Sequence, residues 1–293
     1  MLTPEGLAAQ FEQHRAHLRA VAYRMLGSAS DAEDAVQEGW IRLGRTDVSG
    51  VENLRAWLTT VVARVCLDML RTRTSRREDP LDTHVPDPLI ARADGDPETD
   101  AVLADSVGLA LLVVLETLEP AERLAFVLHD VFGMTFDEIA PIVDRSPVAA
   151  RQLASRARRR VQGQAPAAET DRQEQRRVLN AFLAAARDGD FQGLVSVLDP
   201  DVVLRADAGA LADMSRVVRG AGAVASQAVT FSKSGLATQI VLVNGSIGIV
   251  SRRPDGRVFS VLGFTVADGR IVEINILADP ERLGRLDWSA LES

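Results

Sequence analysis

The character of this chain changes near residue 171, from helices alone to helices followed by strands, and that change constrains the fold more than any other feature. Up to about residue 162 the apolar residues recur three or four apart, the period of a helix with one buried face. Leu7, Phe11, Leu18, Val21 and Met25 keep this spacing until Gly27-Ser28 ends it. A second helix is predicted over about 31–43. A third, over about 53–73, carries Leu54, Trp57, Leu58, Val61, Val65 and Met69 on or near one face. Beyond 171 one helix is predicted over about 172–187, with Val178, Phe182 and Leu183 as its buried stripe, followed by shorter ones near 190–198 and 220–231. Strand-like runs then cover 237–243, 246–252, 257–267 and 270–277. They are separated by Asn244-Gly245, Pro254-Asp255-Gly256 and Asp268-Gly269, each a hairpin signal. Helices followed by a meander of strands imply a curved sheet wrapped on helices. The expected fold class is therefore multidomain: two all-α domains, the second a helix-turn-helix, and a C-terminal α+β cone.

Two breaks set the boundaries. Residues 79–100 contain Pro80, Pro86, Pro88 and Pro97 among many acids and read as an extended acidic linker. Residues 163–170, GQAPAAET, read as a shorter one. The expected units are thus 1–78, 101–163 and 171–293. No run of 18 apolar residues exists, and no basic stretch leads an apolar block at the start, so neither a membrane span nor a signal peptide is expected. Cys66 is the single cysteine, which excludes a disulfide within the chain and a multi-cysteine zinc site, and fits a reducing cytoplasm. It reads as a small core residue. No cofactor and no metal are expected. The net charge of −8 argues against tight binding to naked DNA, since phosphate contacts dominate that affinity. Arginines nevertheless cluster over 64–77 and 145–160. Local basic faces on an acidic chain suggest a large partner that holds it on DNA.

The sharpest local signal lies in 135–160. Thr135-Phe136-Asp137-Glu138 has the form of a capping box. Ile139, Ile142 and Val143 form the buried side of a short helix, Asp144-Arg145 turns the chain, and Ser146-Pro147 supplies an N-cap and a proline at the first helical position. In the second helix Ala150, Leu153 and Ala157 are expected to face inward. Arg151, Gln152, Ser155, Arg156, Arg158 and Arg159 then face outward. Arginine and glutamine can bond base edges in the major groove bidentately, and the second helix of such a motif is the one that enters it. An ordinary basic surface helix is the plainer alternative, and a helix-turn-helix alone fits any repressor.

Asp31-Ala32-Glu33-Asp34-Ala35-Val36-Gln37-Glu38-Gly39-Trp40 sets Asp31, Asp34, Gln37 and Glu38 along one side of a helix. This segment resembles the acidic signature of extracytoplasmic-function sigma factors of the sigma-70 family. The resemblance continues through Asn53-Leu54-Arg55-Ala56-Trp57-Leu58, Asp68-Met69-Leu70-Arg71 and Leu118-Glu119-Pro120-Ala121-Glu122-Arg123, and into the helix-turn-helix. It implies that residues 1–78 are region 2, which docks on the β′ clamp helices of core RNA polymerase and opens the promoter −10 element. It implies that 101–163 are region 4, at the β flap, reading the −35 element. On that basis Asn53, Arg55, Arg64, Arg71 and Arg73 are the −10 candidates, and the loop 44–53 is the candidate holder of a flipped base. Arg145, Ser146, Arg151, Gln152, Ser155, Arg156 and Arg159 are the −35 candidates. Trp57, spaced with Leu54 and Val61, reads as core in preference to a stacking platform. The acidic linker is expected either to occupy a basic channel of polymerase or to serve as a plain tether.

The remaining 171–293 resemble a SnoaL-like (NTF2-like) domain, as in the group of sigma factors that carries one. His84-Val85-Pro86-Asp87-Pro88, Asp207-Ala208-Gly209-Ala210 and Asp279-Pro280-Glu281-Arg282-Leu283 stand where that group has its linker and C-terminal motifs. The resemblance implies a built-in regulator that packs on the sigma domains, with Pro86, Asp87, Pro88, Asp279, Pro280, Arg282 and Leu283 as interdomain regulatory residues. A small ligand in the cone is a further expectation. Two other readings stay open. One is a ligand-responsive helix-turn-helix regulator. The other is a SnoaL-like enzyme, with Asp201, Asp207 and Asp213 as its remaining candidate bases, since His, Tyr and Cys do not occur in this segment.

Overall fold

The computed structural model describes residues 4–46, 50, 51, 53–76, 83–94, 108–164, 171–209 and 214–292. They form two compact units, one of 1–79 with 114–164 and the other of 80–113 with 165–293. Most of both expected helical domains therefore shares one unit, while 101–113 and nearly all of the expected linker belong to the other.

In the first unit, α1 (Pro4–Leu26), α2 (Ala29–Leu43) and α3 (Leu54–Arg76) pack pairwise. Gly27 at φ +67 and the Ser28 N-cap divide α1 from α2. Leu18, Met25, Leu43, Leu58 and Leu67 are fully buried. Each such side chain contributes about 1.5–3 kcal/mol of burial. Gly39 permits the approach of α2 to α3, because a Cβ there would lie 2.9 Å from Val62 Cγ2. The Phe11 and Trp40 rings meet at a 54° tilt, 5.0 Å between centroids. Trp57, like Leu54 and Val61, is half-buried and flanks the buried line of α3 through Leu58, Val62, Cys66 and Leu70, so the expected core line is displaced. The unit continues with the end of α4 (Leu109–Glu116), α5 (Pro120–Phe126) running into a π-helical turn (Val127–Val131), α6 (Phe136–Ile139) and α7 (Pro147–Gln164).

The second unit holds a seven-stranded sheet in the order β1-β4-β5-β6-β7-β2-β3. Its strands are β1 (Ile90–Arg92), β2 (Leu198–Asp207), β3 (Arg216–Arg219), β4 (Ala237–Val243), β5 (Ser246–Arg252), β6 (Val258–Ala267) and β7 (Arg270–Leu277). Among the described residues, only β2 and β7 run parallel. Helices α8 (Arg172–Asp188), α9 (Phe191–Val197) and α10 (Ala221–Ser232) cover one face. There Phe182, Val178 and Val224 join Leu204, Ile249, Phe264 and Ile274 in one core. Alternate residues Val241, Val243, Val250, Val261 and Leu277 form a second core on the other face, with Val85, Leu109 and Leu283. Two buried faces explain why the central strands read as near-continuous apolar runs. Short helices α11 (Pro280–Leu283) and α12 (Ser289–Glu292) close the chain.

The four expected strands of the meander occur within one residue of their expected bounds. The tight turns at Asn244 and Asp268 sit at φ +52 and +50. Three further strands were not expected. The largest departure is β1: Ile90, Ala91 and Arg92 of the acidic linker pair antiparallel with Val243, Leu242 and Val241. This part of the linker is an edge strand of the cone and not a free extended segment. Helix α4 likewise shares residues with both units. Its Leu109 fits over Gly263, where an added Cβ would lie 2.8 Å from Leu109 Cδ2.

Candidate nucleic-acid interface and linker latch

The helix-turn-helix forms as its sequence dictates. The Thr135 hydroxyl accepts from the Glu138 amide at 3.4 Å, while the Thr135 amide and hydroxyl donate to Glu138 Oε2 at 2.8 and 2.7 Å. These bonds hold the Glu138 carboxyl below its usual range. Asp144 takes φ +54 at the turn. Ser146 Oγ caps α7 by accepting from Ala149 N at 3.3 Å. Ala150, Ala154, Ala157 and Val161 are buried. The inward face thus runs through Ala154, with Leu153 only half-buried, so the helix is rotated from the expected Ala150–Leu153–Ala157 line.

That rotation sorts the candidates. Arg151, Gln152, Ser155 and Arg159 are exposed on one side. Arg151 lies over the Phe136 ring at 5.3 Å. Arg145 is exposed and bonds its neighbour's carbonyl at 2.9 Å. Arg156 differs. Its Nε donates at 2.7 Å to Glu122, which also takes Arg160 at 3.2 Å and whose side chain is 7% exposed. Arg158 is bound to Asp130. These arginines secure α7 to α5 and its π turn.

The −10 candidates divide in the same way. Asn53 Oδ1 accepts from Ala56 N at 3.0 Å, so this side chain caps the start of α3. Arg55 meets His17 Nδ1 at 3.1 Å. Arg71 is exposed, 3.8 Å from Asp68. Arg73 is tied to Asp31 and donates to Leu26 O at 3.0 Å, so it braces α1 and α2. Arg64 donates to the Pro141 carbonyl of the helix-turn-helix at 3.1 Å. In the acidic stripe Asp34 and Gln37 are exposed, whereas Glu38 pairs with Arg42 at 2.8 Å and Asp31 with Arg73. Loop residues 47–49 and 52 of the flipped-base candidate lie outside the described residues.

A residue that local reading passed over holds these modules together. Arg123 is 1% exposed. Its Nε and Nη2 donate to Arg24 O at 3.2 and 3.1 Å, and its Nη1 to Glu116 at 2.8 Å. The Arg24 guanidinium in turn sits over Phe132 at 4.9 Å. Burial pushes the neighbouring Cys66 thiol up to about 12, against the opposing charge of Arg123.

In the second unit the three motif segments converge. Arg282 donates to Asp87 Oδ1 at 2.7 Å, to Asp207 Oδ2 at 2.7 Å and to the Val85 carbonyl at 2.5 Å. Asp207 also accepts from the Val85 amide at 3.0 Å and lies 3.3 Å from His84 Nδ1. Burial by itself would raise the Asp207 carboxyl. The bonds from His84 and Val85 and the charge of Arg282 outweigh it and hold the group well below its usual range. Asp279 caps α11 through the amides of Glu281 and Arg282, and Pro280 fills its first turn. Gly209 (φ +57) leaves room for Asp279, whose Oδ2 would lie 2.0 Å from an added Cβ. Pro86, Pro88 and Leu283 are buried. The residues expected between domains are thus one latch between linker and cone inside a single unit. Asp201 is exposed and Asp207 is committed to the latch. Asp213, like Ala210, lies outside the described residues. Among the described residues no group of three or more His, Cys, Asp or Glu could hold a metal, and no helix is long and apolar enough to cross a membrane.

Residues 10–76 match the Sigma-70 region 2 model and residues 108–161 the Sigma-70, region 4 model. The chain is 38% identical over 288 residues to the ECF RNA polymerase sigma factor SigJ of Mycobacterium tuberculosis, covering 94% of this chain and 92% of that protein. It is 36% identical over 289 residues to the probable ECF RNA polymerase sigma factor SigI of the same species, covering 96% of each. The crystal structure of SigJ aligns with a TM-score of 0.72 at 36% identity, over 94% of this chain and 98% of that one. With both sigma modules matched and whole-length relatives above 30% identity, the chain belongs to the family of ECF RNA polymerase sigma factors, which bind core polymerase and promoter DNA to direct transcription initiation.

Proposed function

We propose that the exposed face of α2, centred on Asp34 and Gln37, docks on the β′ clamp helices, and that the helix-turn-helix end of the first unit meets the β flap. The protein then acts in the cytoplasm, where polymerase is. Helix α3 faces the −10 element through Arg55, Arg64 and Arg71. Helix α7 faces the −35 element through Arg151, Gln152, Ser155 and Arg159, with Arg145 and Ser146 at its leading edge. Asn53, Arg73 and Arg156 support these surfaces by capping α3, bracing α1 against α2 and anchoring α7. The C-terminal unit regulates through the latch, because it holds residues 84–92 of the chain that joins region 2 to region 4. The observation that carries the regulatory reading is the Arg282 clamp on Asp87 and Val85.

Run-off transcription with core polymerase tests these assignments, using the full chain, the chain truncated after Gly163, and the Arg282→Met variant. A start at one defined promoter is expected from the full chain. Altered promoter choice or spacing tolerance is expected from the other two. Identical output from all three would remove the latch from regulation. Asp34→Lys is the clean test of the polymerase face, since Asp31→Lys would also break the pair with Arg73. Unchanged polymerase affinity of Asp34→Lys would exclude that face.

A further inference from the structure

We infer that the cone of the C-terminal unit binds a small amphiphilic anion, an apolar body bearing one carboxylate or similar acid group. The cone encloses a cavity of about 300 Å³. That is the lower end of the range for small-molecule sites. Its walls are apolar, with Phe182 and Leu204 on one side and Phe231, Phe259, Phe264 and Ile274 among the rest. Phe231 and Met214 line the cavity and are 40% and 39% exposed, adding apolar surface beside it.

Two polar features define the occupant. Ser251 and Ser260 stand directly opposite each other on β5 and β6 and line the cavity. They are 6% and 4% exposed and border the cavity. An oxygen of a bound molecule would replace water as the partner of these hydroxyls. Arg187 on α8 and Arg216 on β3 also line the cavity, and neither forms an ion pair among the described residues. The described lining contains no Asp or Glu to offset them, so its charge is positive. It also contains no His, Tyr or Cys. The two cations and the serine hydroxyls are groups suited to hold an acid group.

The cavity and the latch share strands. On β2, Ala206 points into the cavity, while the next residue, Asp207, points to Arg282 on the opposite face. An occupant therefore bears on the strand that holds the linker. This regulatory consequence rests on the latch reading above; binding itself does not.

Calorimetric titration of the full chain with decanoate and with 2-naphthoate tests the site. Saturable binding of at least one acid is expected, about tenfold tighter than decanol, the order that two exposed cations supply. In Arg187→Gln/Arg216→Gln the acid's advantage should vanish while decanol binding stays. Ala206→Phe should abolish binding of both without lowering the melting temperature, and if it melts early, Ser251→Leu serves instead. No saturable binding of either acid up to about 1 mM, or binding that survives both cavity-filling changes, would overturn the proposal. Hydrogen exchange over 84–92 with and without the bound acid separates the two ideas. A change is expected, and unchanged exchange with retained binding would overturn the coupling to the latch but not the site.

Discussion

Replacing Arg123 by Met probes the join between the two sigma modules most directly. Methionine keeps most of the apolar stem volume, so little cavity forms, but three charge-assisted donors disappear. The Glu116 carboxylate, 6% exposed, then loses the Arg123 guanidinium, and Arg24 O loses both Arg123 donors. Removing one partner of a buried ion pair costs about 3–5 kcal/mol. That is about a fifth or more of the ~5–15 kcal/mol that holds a typical domain folded. With a urea slope of about 2 kcal/mol/M the midpoint should fall by roughly 2 M. Trp40 and Trp57 lie in the same unit as Arg123, so their fluorescence in a Trp288→Phe background reports that unit alone. Adding Glu116→Gln should recover part of the loss, because a neutral amide tolerates the dry site better than a carboxylate. A loss below about 1 kcal/mol, or no recovery in the double variant, would refute the view that Arg123 is a buried electrostatic tie.

Cys66 should resist an aromatic disulfide reagent at pH 8 until the protein is unfolded, since its thiol is buried and its ionisation is pushed up to about 12; rapid labelling of the native chain would contradict this. The Asp207 carboxyl ionises below its ordinary value, so its contribution to stability is complete above about pH 4 and fades as pH falls below it. The stability gap between the parent and Asp207→Asn should therefore be wide at pH 7 and narrow on acidification, and a gap independent of pH would exclude the mechanism. Arg151→Ala or Gln152→Ala should cost about 1–3 kcal/mol of −35 discrimination in a promoter-competition assay. Arg156→Ala should instead lower the stability of the first unit with little change in preferred sequence, because its partner is Glu122; the reverse pattern would reassign these three residues.

The features read correctly from sequence are those written in neighbouring residues. Thr135 and Glu138 are three apart, and Asn244-Gly245 or Asp268-Gly269 can do little but turn, so the helix-turn-helix and the last four strands were legible. Strand β1 was not, because Ile90-Ala91-Arg92 sits among prolines and acids and becomes a strand only by pairing with Val241–Val243. Strand β2 was hidden by Asp199-Pro200-Asp201, which reads as a turn, and β3 is only Arg216–Arg219. The same limit applies to side chains. Arg156 looks like a base reader until Glu122 is found 34 residues earlier in the chain. Arg73 looks like a backbone contact until Asp31 claims it. The Arg282 motif was recognised, yet its grip on residues 195 and 197 positions away could only be seen folded.

The bond from Arg64 to the Pro141 carbonyl sets a thermodynamic threshold. The −35 and −10 elements are centred about 25 base pairs apart, which at 3.4 Å per pair is about 85 Å of duplex. A helix whose arginine touches the helix-turn-helix cannot lie on one element while that motif lies on the other. If α3 and α7 face the two elements as proposed, this contact has to open before the protein spans a promoter. Polymerase would supply that work from its own binding energy, and its apparent affinity for the factor would fall as the fraction of molecules still shut rises.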